Sequence, residues 1–257
     1  GHINVLEVLI AAKVDVDVRS MDGESALHFA VEGDQINVVK FLLGAKADVD
    51  AVEFVAGYTP LSSATVQNHI SILRVLLEAK ADPDNAYCRT TSTVLAIEHD
   101  HIDALELLVA AKGDIASICK DTYGNDTTAL LSAIRKSTTT DAVSILINAK
   151  VDVDTGLDLG TGYEDEDAKS ETPLCLAAAR TKVDVITMLL DAKADINEGD
   201  PVSAVLESIG RDKAKADALR LLLDAKADVN QACPFFGSTP AHYAADSADE
   251  KTLRILI

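Results

Sequence analysis

Val75-Leu-Leu-Glu-Ala-Lys-Ala-Asp82 contains an apolar triplet followed by the tetrapeptide Ala-Lys-x-Asp, and both features recur along the whole chain. Seven copies of the tetrapeptide each follow an apolar cluster, and successive ones of these lie 32 to 43 residues apart. The chain ends on an eighth apolar cluster, Ile255-Leu-Ile257. Such a period is typical of a repeat protein, in which each repeat is one small supersecondary unit. The lysines of the tetrapeptides are Lys13, Lys46, Lys80, Lys112, Lys150, Lys193 and Lys226.

A second element lies about 20 residues before the lysine of a repeat and reads Thr59-Pro-Leu-Ser-Ser-Ala64 in one clear copy. Thr caps a helix, and Pro suits the first turn. The pattern therefore predicts a short first helix, a break such as Gly33-Asp34, and a second helix that buries the apolar triplet. Two short helices cannot bury enough surface alone, so the units must stack. Related copies begin at Ser25, Thr172 and Thr239, and weaker ones at Thr91 and Thr128.

These elements resemble the ankyrin repeat, whose units begin Thr-Pro-Leu-His-x-Ala, break at Gly-His and end Gly-Ala-Asp-Val-Asn. Gly1-His2 matches the break, and Asp22-Gly23 matches the turn before a first helix. Asp195-Ile-Asn197 and Asp228-Val-Asn230 match the end of a unit. The resemblance covers essentially the whole chain. It implies an all-α ankyrin-repeat solenoid of stacked helix-turn-helix units with finger loops, in which finger tips and concave first helices form the usual binding surface.

The resemblance divides the chain into one array with eight segments. The connection before Thr172 is long and acidic, whereas the segment after Asn197 lacks a finger. Both ends lie inside repeats, so we expect a piece of a longer array, or ends that other segments or subunits cover. The predicted segments are 1–18, a partial repeat; 19–50; 51–84; 85–116; 117–154; 155–197, with an acidic finger insertion; 198–230, without a finger; and 231–257, a truncated repeat.

Lysine stands where the ankyrin family usually has a glycine after the second helix. That glycine takes a left-handed conformation, which costs any other residue roughly 1 kcal/mol. A cation at a helix C-terminus recovers about 0.3 to 1 kcal/mol through the helix dipole. The two effects nearly cancel, and we therefore expect the fold to tolerate lysine at all seven positions.

The composition limits the classes of partner. The chain carries 42 acidic and 23 basic residues, for a formal charge of −19. This charge argues against nucleic-acid binding, which needs clustered Lys and Arg, and against docking on anionic membranes. No apolar run approaches the roughly 18 to 20 residues of a membrane span. Aromatic residues make up only 4% and Trp is absent, so Ala, Leu, Val and Ile must form the core.

Signatures of catalysis and of cofactor binding are absent from the sequence. It contains no GxSxG, HExxH or P-loop motif. Gly160-Thr-Gly162 begins a dinucleotide-like string, but the third glycine is missing. Asp15 and Asp17 have the spacing of a calcium loop, but Arg19 occupies a ligand position. We therefore expect no enzyme, no cofactor and no metal ion.

The histidines favour structural roles. His99 and His101 have the chemistry of metal ligands, but residues two apart at a helix start point to different faces. The resemblance implies that histidines in the Thr-Pro-Leu-His and Gly-His positions hydrogen-bond to neighbouring backbone. These histidines are His28, His242, His2, His69 and His101.

The aromatic residues give the best functional signal. Seven of the ten Phe and Tyr residues fall in predicted finger loops, whereas placement driven by the core would give the opposite bias. Exposed Tyr and Phe anchor interfaces because they bury a large area for little loss of rotamer freedom. Packing of each ring beneath its own loop is the alternative. The candidate partner-binding residues are Phe54, Tyr58, Tyr87, Tyr123, Tyr163, Phe235 and Phe236.

Three charged groups have both a structural and a functional interpretation. The aspartate after each second helix is expected to accept backbone N–H groups in the turn. The seven lysines either interact with the helix dipoles or form a strip that docks an acidic partner. The acidic loop 158–171 is a solvated insertion, a contact for a basic partner, or a cation site.

Together these observations predict a non-catalytic scaffold that binds a protein partner through finger loops and the concave face. The alternative is a targeting module or accessory subunit of a larger enzyme or organellar complex, for example in a plastid. We expect no nucleic-acid partner, no direct membrane insertion, and membership of a longer chain or larger complex. The four widely spaced cysteines predict reduced thiols, and hence an intracellular, reducing compartment, with the cytoplasm preferred over an organelle.

Overall fold

The computed structural model divides the chain into two compact units, Gly1–Ser132 and Ala133–Ile257. The predicted segment boundaries, and a single array over the full length, stay predictions. The structure describes residues 3–85, 90–136, 140–158, 170–196, 213–230, 239–246 and 254–256.

The first unit stacks short helices in pairs. The elements are α1 (Ile3–Ala11), α2 (Ala26–Glu32), α3 (Ile36–Gly44), α4 (Pro60–Val66), α5 (Ile70–Glu78), α6 (Ser92–Glu98), α7 (Ile102–Ala110), β1 (Cys119–Lys120) and β2 (Asp126–Thr127). The first helices α2, α4 and α6 pack side by side, and so do the second helices α1, α3, α5 and α7. Within a repeat, α2 packs on α3, α4 on α5, and α6 on α7. The antiparallel strands β1 and β2 form a small hairpin that pairs Cys119 with Thr127.

The second unit repeats this plan. The elements are α8 (Ala129–Lys136), α9 (Asp141–Asn148), β3 (Leu157–Asp158), β4 (Ser170–Glu171), α10 (Pro173–Ala179), α11 (Val183–Asp191), α12 (Lys213–Asp224) and α13 (Pro240–Asp246). The boundary between the two units falls within α8. Helix α10 packs on α11, and α11 also contacts α9 and α12. The antiparallel strands β3 and β4 pair Leu157 with Glu171.

The first helices begin at the predicted Thr residues. Thr59 has extended backbone and its Oγ1 accepts a hydrogen bond from the Ser62 N–H at 3.2 Å, while Pro60 takes the first helical position. Thr91 and Thr172 cap α6 and α10 in the same way. Each cap satisfies an N–H that the helix itself leaves without a partner.

Each second helix ends two residues before one of the seven lysines, which all adopt the left-handed conformation with φ between 60° and 74°. At the end of α3, the Lys46 N–H donates to the Leu43 carbonyl and the Ala47 N–H donates to the Leu42 carbonyl, both at 3.0 Å. This bonding satisfies two carbonyl groups that the helix leaves open. The expectation that the fold tolerates lysine here is confirmed.

The core is aliphatic, as predicted from the shortage of aromatic residues. One leucine of the second-helix apolar cluster is buried in each of α3, α5, α7, α9, α11 and α12, and Leu27 and Leu61 are buried in the first helices. The resulting core supports the fingers, which emerge before each first helix. The second-helix leucines are Leu42, Leu76, Leu108, Leu146, Leu189 and Leu222.

Candidate functional site

Two of the fingers contain the same type of tight turn. In the α2 finger (residues 18–25), the Ser20 N–H donates to the Glu24 carbonyl at 2.8 Å and the Gly23 N–H donates to the Ser20 carbonyl at 3.0 Å. The α8 finger (residues 117–128) repeats this bonding, with Gly124 in the place of Gly23. Both glycines have φ near +82°, a conformation that strains other residues.

The α4 finger (residues 51–58) is organised by a buried carboxylate. Glu53 is only 8% exposed, and its side chain accepts hydrogen bonds from the N–H groups of Val55, Ala56 and Tyr58 at 2.5, 2.7 and 3.0 Å. Burial by itself raises the pKa of Glu53, but the backbone donors outweigh burial and the pKa lies below its usual range. The ionised form of Glu53 therefore holds the tip of the α4 finger in place.

The α2 and α4 fingers are joined to each other. The Phe54 N–H donates to the Asp22 carbonyl at 2.8 Å. The Phe54 ring lies on Gly23, because a Cβ atom at Gly23 would come within 2.5 Å of the ring carbon Cγ. Arg19 donates to the Val52 carbonyl at 2.5 Å. Backbone, side-chain and ring contacts thus combine the two fingers into one ordered structure.

His28 connects helix α2 to the α4 finger. Its Nδ1 accepts a hydrogen bond from the Ser25 N–H at 3.2 Å, so Nε2 carries the proton and donates to the Tyr58 carbonyl at 3.2 Å. Burial lowers the pKa of His28, which favours this neutral form. His28 therefore has the structural role that the resemblance implied.

The structure describes three of the seven candidate partner-binding residues. Phe54 is 68% exposed and Tyr123, at the tip of the α8 finger, is 88% exposed. Tyr58 is half-buried. The other four candidates, Tyr87, Tyr163, Phe235 and Phe236, lie outside the described residues.

Aliphatic residues and a methionine add to the exposed finger surface. Met21 is 98% exposed and Val55 is 77% exposed, and both lie at finger tips. Val18 and Ile118 are also exposed where their fingers begin. A choice of aromatic residues alone does not identify these four residues, although the sequence predicts their position in the fingers.

A cleft of about 300 Å³ lies on the first-helix side of the first unit. Its lining includes Tyr58 of the α4 finger, Ser62 of α4, Leu95 of α6, and Asp121 and Gly124 of the α8 finger. The Asp121 carboxylate accepts hydrogen bonds from the N–H groups of two residues in its own turn. The cleft is therefore lined by small, polar and apolar groups, and this carboxylate is already engaged.

The Gly-His positions connect neighbouring repeats. His69 donates from Nδ1 to the Val31 carbonyl at 2.9 Å, and His101 donates to the Thr65 carbonyl at 2.8 Å. The rings of His99 and His101 stack with their centroids 5.7 Å apart. In the part of the chain that the structure describes, no three or more His, Cys, Asp or Glu side chains form a group that could hold a metal ion.

The aspartates after the second helices accept backbone N–H groups, as predicted. The first Asp of each Asp-x-Asp accepts the N–H two residues later, as Asp48 does from Asp50 at 3.1 Å. The second Asp accepts from the next repeat: Asp50 Oδ1 receives the Asp82 N–H at 2.9 Å. Equivalent bonds join Asp17 to Asp48, Asp84 to Asp114, and Asp154 to Asp195.

Stacked pairs of short helices, left-handed helix ends and projecting fingers define the class of α-helical repeat proteins. Within this class, a family model described as ankyrin repeats (three copies) matches residues 1–87 and 90–200. The chain belongs to the ankyrin-repeat family. Ankyrin repeats are in general protein–protein interaction modules.

A curated relative and solved structures agree with this family. The chain is 31% identical over 200 residues to the ankyrin repeat and KH domain-containing protein mask-1 of Caenorhabditis elegans; the match covers 77% of this chain and 7% of that protein. The ankyrin repeat domain of Bcl-3, a member of the IkappaB family, is 22% identical with a TM-score of 0.71, over 91% of this chain and 99% of that one. The human ASB11 ankyrin repeat domain is 18% identical with a TM-score of 0.66, over 91% and 98% of the two chains.

Within the described ranges, no helix is both long and apolar enough to cross a bilayer.

Proposed function

We propose that this protein is a non-catalytic scaffold that binds a protein partner through its finger loops and the concave face of its first helices. The observation that carries the proposal is the exposure of large side chains on ordered fingers: Tyr123 is 88% exposed and Phe54 is 68% exposed. The hydrogen bonds that hold each finger are made by backbone groups and carboxylates, and the two rings take no part in them. Such rings supply binding energy when a partner buries them.

The charge of the chain adds selectivity to this binding. The formal charge of −19 repels acidic partners and speeds the encounter with basic ones. The fold is typically non-enzymatic, and the proposal assigns no reaction to this chain.

Site-directed photo-crosslinking tests the proposal. A benzophenone amino acid replaces Tyr123 at a finger tip or, as the matched control, Glu106, which is exposed on the second helix α7. After irradiation in cell extract, we expect position 123 to crosslink a defined protein that position 106 does not. If both positions capture the same set of proteins, binding does not depend on the fingers and the proposal fails.

A second candidate function is that of a targeting module or accessory subunit in a larger protein or complex. The observation in its favour is that the chain spans only 7% of the length of the mask-1 relative. Immunoblotting of native extract after gel filtration tests it: elution of the native protein as a monomer of 27.2 kDa would contradict it.

We further propose an intracellular, reducing compartment. Four widely spaced cysteines support it. Fractionation, with alkylation of free thiols before lysis, tests this proposal: recovery of oxidised cysteines from the native protein would contradict it.

A further inference from the structure

We propose that the α2 and α4 fingers form one preassembled docking surface for a basic protein segment that carries an apolar side chain. The surface, here called the two-finger tip, consists of Met21, Phe54 and Val55. This inference rests on the proposed scaffold function and adds to it the location of one contact and the chemistry of its partner.

The two-finger tip is ordered before any partner arrives. Phe54 is fixed by its N–H bond to the Asp22 carbonyl and by the contact of its ring with Gly23, which is buried. Val55 is fixed by its N–H bond to the Glu53 carboxylate. A surface that is already ordered loses little conformational freedom on binding, so more of the contact energy appears as affinity.

The side chains of the two-finger tip are apolar and open to solvent. Met21 is 98% exposed, Val55 is 77% exposed, and Phe54 is 68% exposed. The Phe54 contacts with Asp22 and Gly23 bring the two chain segments that carry these residues together. Adjacent exposed apolar side chains mark interaction sites, and methionine adapts its shape to a partner.

Acidic residues outnumber basic residues in and beside the two fingers. Residues 13–25 contain four acids and two bases, Lys13 and Arg19, and residues 46–58 contain three acids and one base, Lys46. Arg19 donates to the Val52 carbonyl and lies 3.7 Å from the Asp48 carboxylate, so its charge is paired. Asp22 at the tip is exposed. The resulting negative potential favours Lys and Arg on the partner and disfavours acidic segments, nucleic acid and anionic lipid.

The α8 finger differs in its described contacts. Tyr123 is more exposed than Phe54, and one base is paired with an acid here as in the α2 finger, since Lys120 Nζ lies 2.7 Å from Asp126 Oδ1. At Gly124 no atom of the described residues lies within 4 Å of the place that a Cβ would take, whereas at Gly23 the Phe54 ring occupies that place. The two-finger tip is therefore distinguished by the contact that joins two described fingers.

Selection from a random linear-peptide library on the immobilised full chain tests the proposal. We expect the enriched peptides to carry an aromatic or aliphatic residue flanked by Lys or Arg, and their affinity to fall as salt is raised. Enrichment of acidic or uncharged peptides, or no enrichment over an unrelated protein, overturns the proposal.

Substitutions then locate the binding site of one synthesised, selected peptide. The double variant M21S/V55S is expected to lose at least about tenfold in affinity, whereas Tyr123→Ser is expected to change affinity less than about twofold. Because Met21 and Val55 are exposed, both variants should melt at the temperature of the wild type, which circular dichroism checks. Undiminished affinity in M21S/V55S overturns the proposal.

A pair of glycine variants tests preassembly without touching the contact residues. Gly23→Ala and Gly124→Ala introduce the same strain at φ near +82°, but only Gly23→Ala places a methyl group against the Phe54 ring. We expect Gly23→Ala alone to weaken peptide binding, and equal affinities in the two variants contradict the proposal. Crosslinking from position 123 is independent of these results, so failure here leaves the scaffold function standing.

Discussion

The α4–α5 and α6–α7 repeats have the same fold but differ in how the buried polar side chains of their first helices are hydrogen-bonded. In α4, the Thr59 N–H donates to Ser62 Oγ at 2.7 Å, and Leu61 fills the core position. In α6 the corresponding stretch places Ser92 and Thr93 in the interior, and in the described part of the chain neither hydroxyl has a hydrogen-bond partner. A buried hydroxyl without a partner costs about 1 to 3 kcal/mol.

This difference indicates that the two helices of a repeat still pair when the first helix buries hydroxyl groups that lack a hydrogen-bond partner. Thr91 still caps α6 by accepting the Val94 N–H, and the α7 leucines Leu105 and Leu108 are still fully buried. The second helix packs in the same way in both repeats and maintains the fold. The first helix and its finger determine how much the free energy of unfolding differs between the repeats.

The largest expected effect is in the α4 finger. Glu53→Ala removes a buried carboxylate that accepts three backbone N–H groups, and should lower the free energy of unfolding by about 2 to 4 kcal/mol. Urea denaturation measures the change. The control is Asp22→Ala, an exposed acid in the neighbouring finger, with an expected change below about 0.5 kcal/mol. Equal effects of the two variants would show that the buried carboxylate does not organise the finger.

The stabilisation by Glu53 should depend on pH. Because the folded state lowers its pKa from 4.5, the contribution is complete above pH 4.5 and is lost as the pH falls through the lower, folded-state pKa. The gap in stability between the wild type and Glu53→Ala should therefore narrow below pH 4.5. A gap that stays constant down to acid unfolding would contradict the role of the ionised form.

The second prediction concerns the weaker repeat. Thr93→Val keeps the shape of the side chain and removes a buried hydroxyl that lacks a partner, so it should raise the free energy of unfolding by about 1 to 2 kcal/mol. Thr65→Val in α4 is the matched control, because Thr65 Oγ1 donates to the Leu61 carbonyl at 2.9 Å. Thermal melting should show a gain for position 93 and none for position 65; a loss at position 93 would refute the interpretation.

The sequence predicted the frame of both repeats but not this difference. Thr caps, apolar clusters and the lysine positions are local patterns, and they placed the helices and the left-handed ends. Whether Thr93 finds a partner depends on neighbouring repeats in three dimensions. The contact of Phe54 with Gly23 likewise joins residues of different fingers and depends on the loop that Glu53 forms. Selecting aromatic residues identified Phe54 and Tyr123 as exposed but missed Met21.

A third, smaller effect should be equal in the two repeats. Lys80→Ala and Lys112→Ala retain a left-handed Cβ but remove the cation at the helix end, so each should destabilise by about 0.3 to 1 kcal/mol. Lys→Gly at the same positions also removes the strain and should restore stability to near that of the wild type. Chemical denaturation of the paired variants checks this balance; a large gain from glycine would show that strain dominates.

The smallest expected effect concerns the aspartates that link repeats. Burial, with repulsion from Asp82 and Asp48, raises the pKa of Asp50, so its ionised form is disfavoured in the folded state. Protonated Asp50 therefore stabilises the folded state at acid pH, and this stabilisation is lost as the pH rises through the raised pKa. Asp50→Asn keeps an oxygen for the Asp82 N–H without the charge, and should stabilise by up to about 0.5 kcal/mol at pH 7. Urea denaturation should show the gain shrinking near pH 4; an equal gain at both pH values would contradict the assignment.

The bonds between these aspartates all run in one direction along the chain. The N–H groups of Asp48, Asp82 and Asp114 each donate to a carboxylate of the repeat before, and Asp195 does the same in the second unit. A repeat that ends in Asp-x-Asp brings one donor and one acceptor, so the bonds stay matched when such a repeat is duplicated or deleted as a whole. The repeat that ends Asp114-Ile-Ala116 brings no carboxylate at its second position. Complete Asp-x-Asp repeats can therefore be gained or lost without a compensating change at the junction.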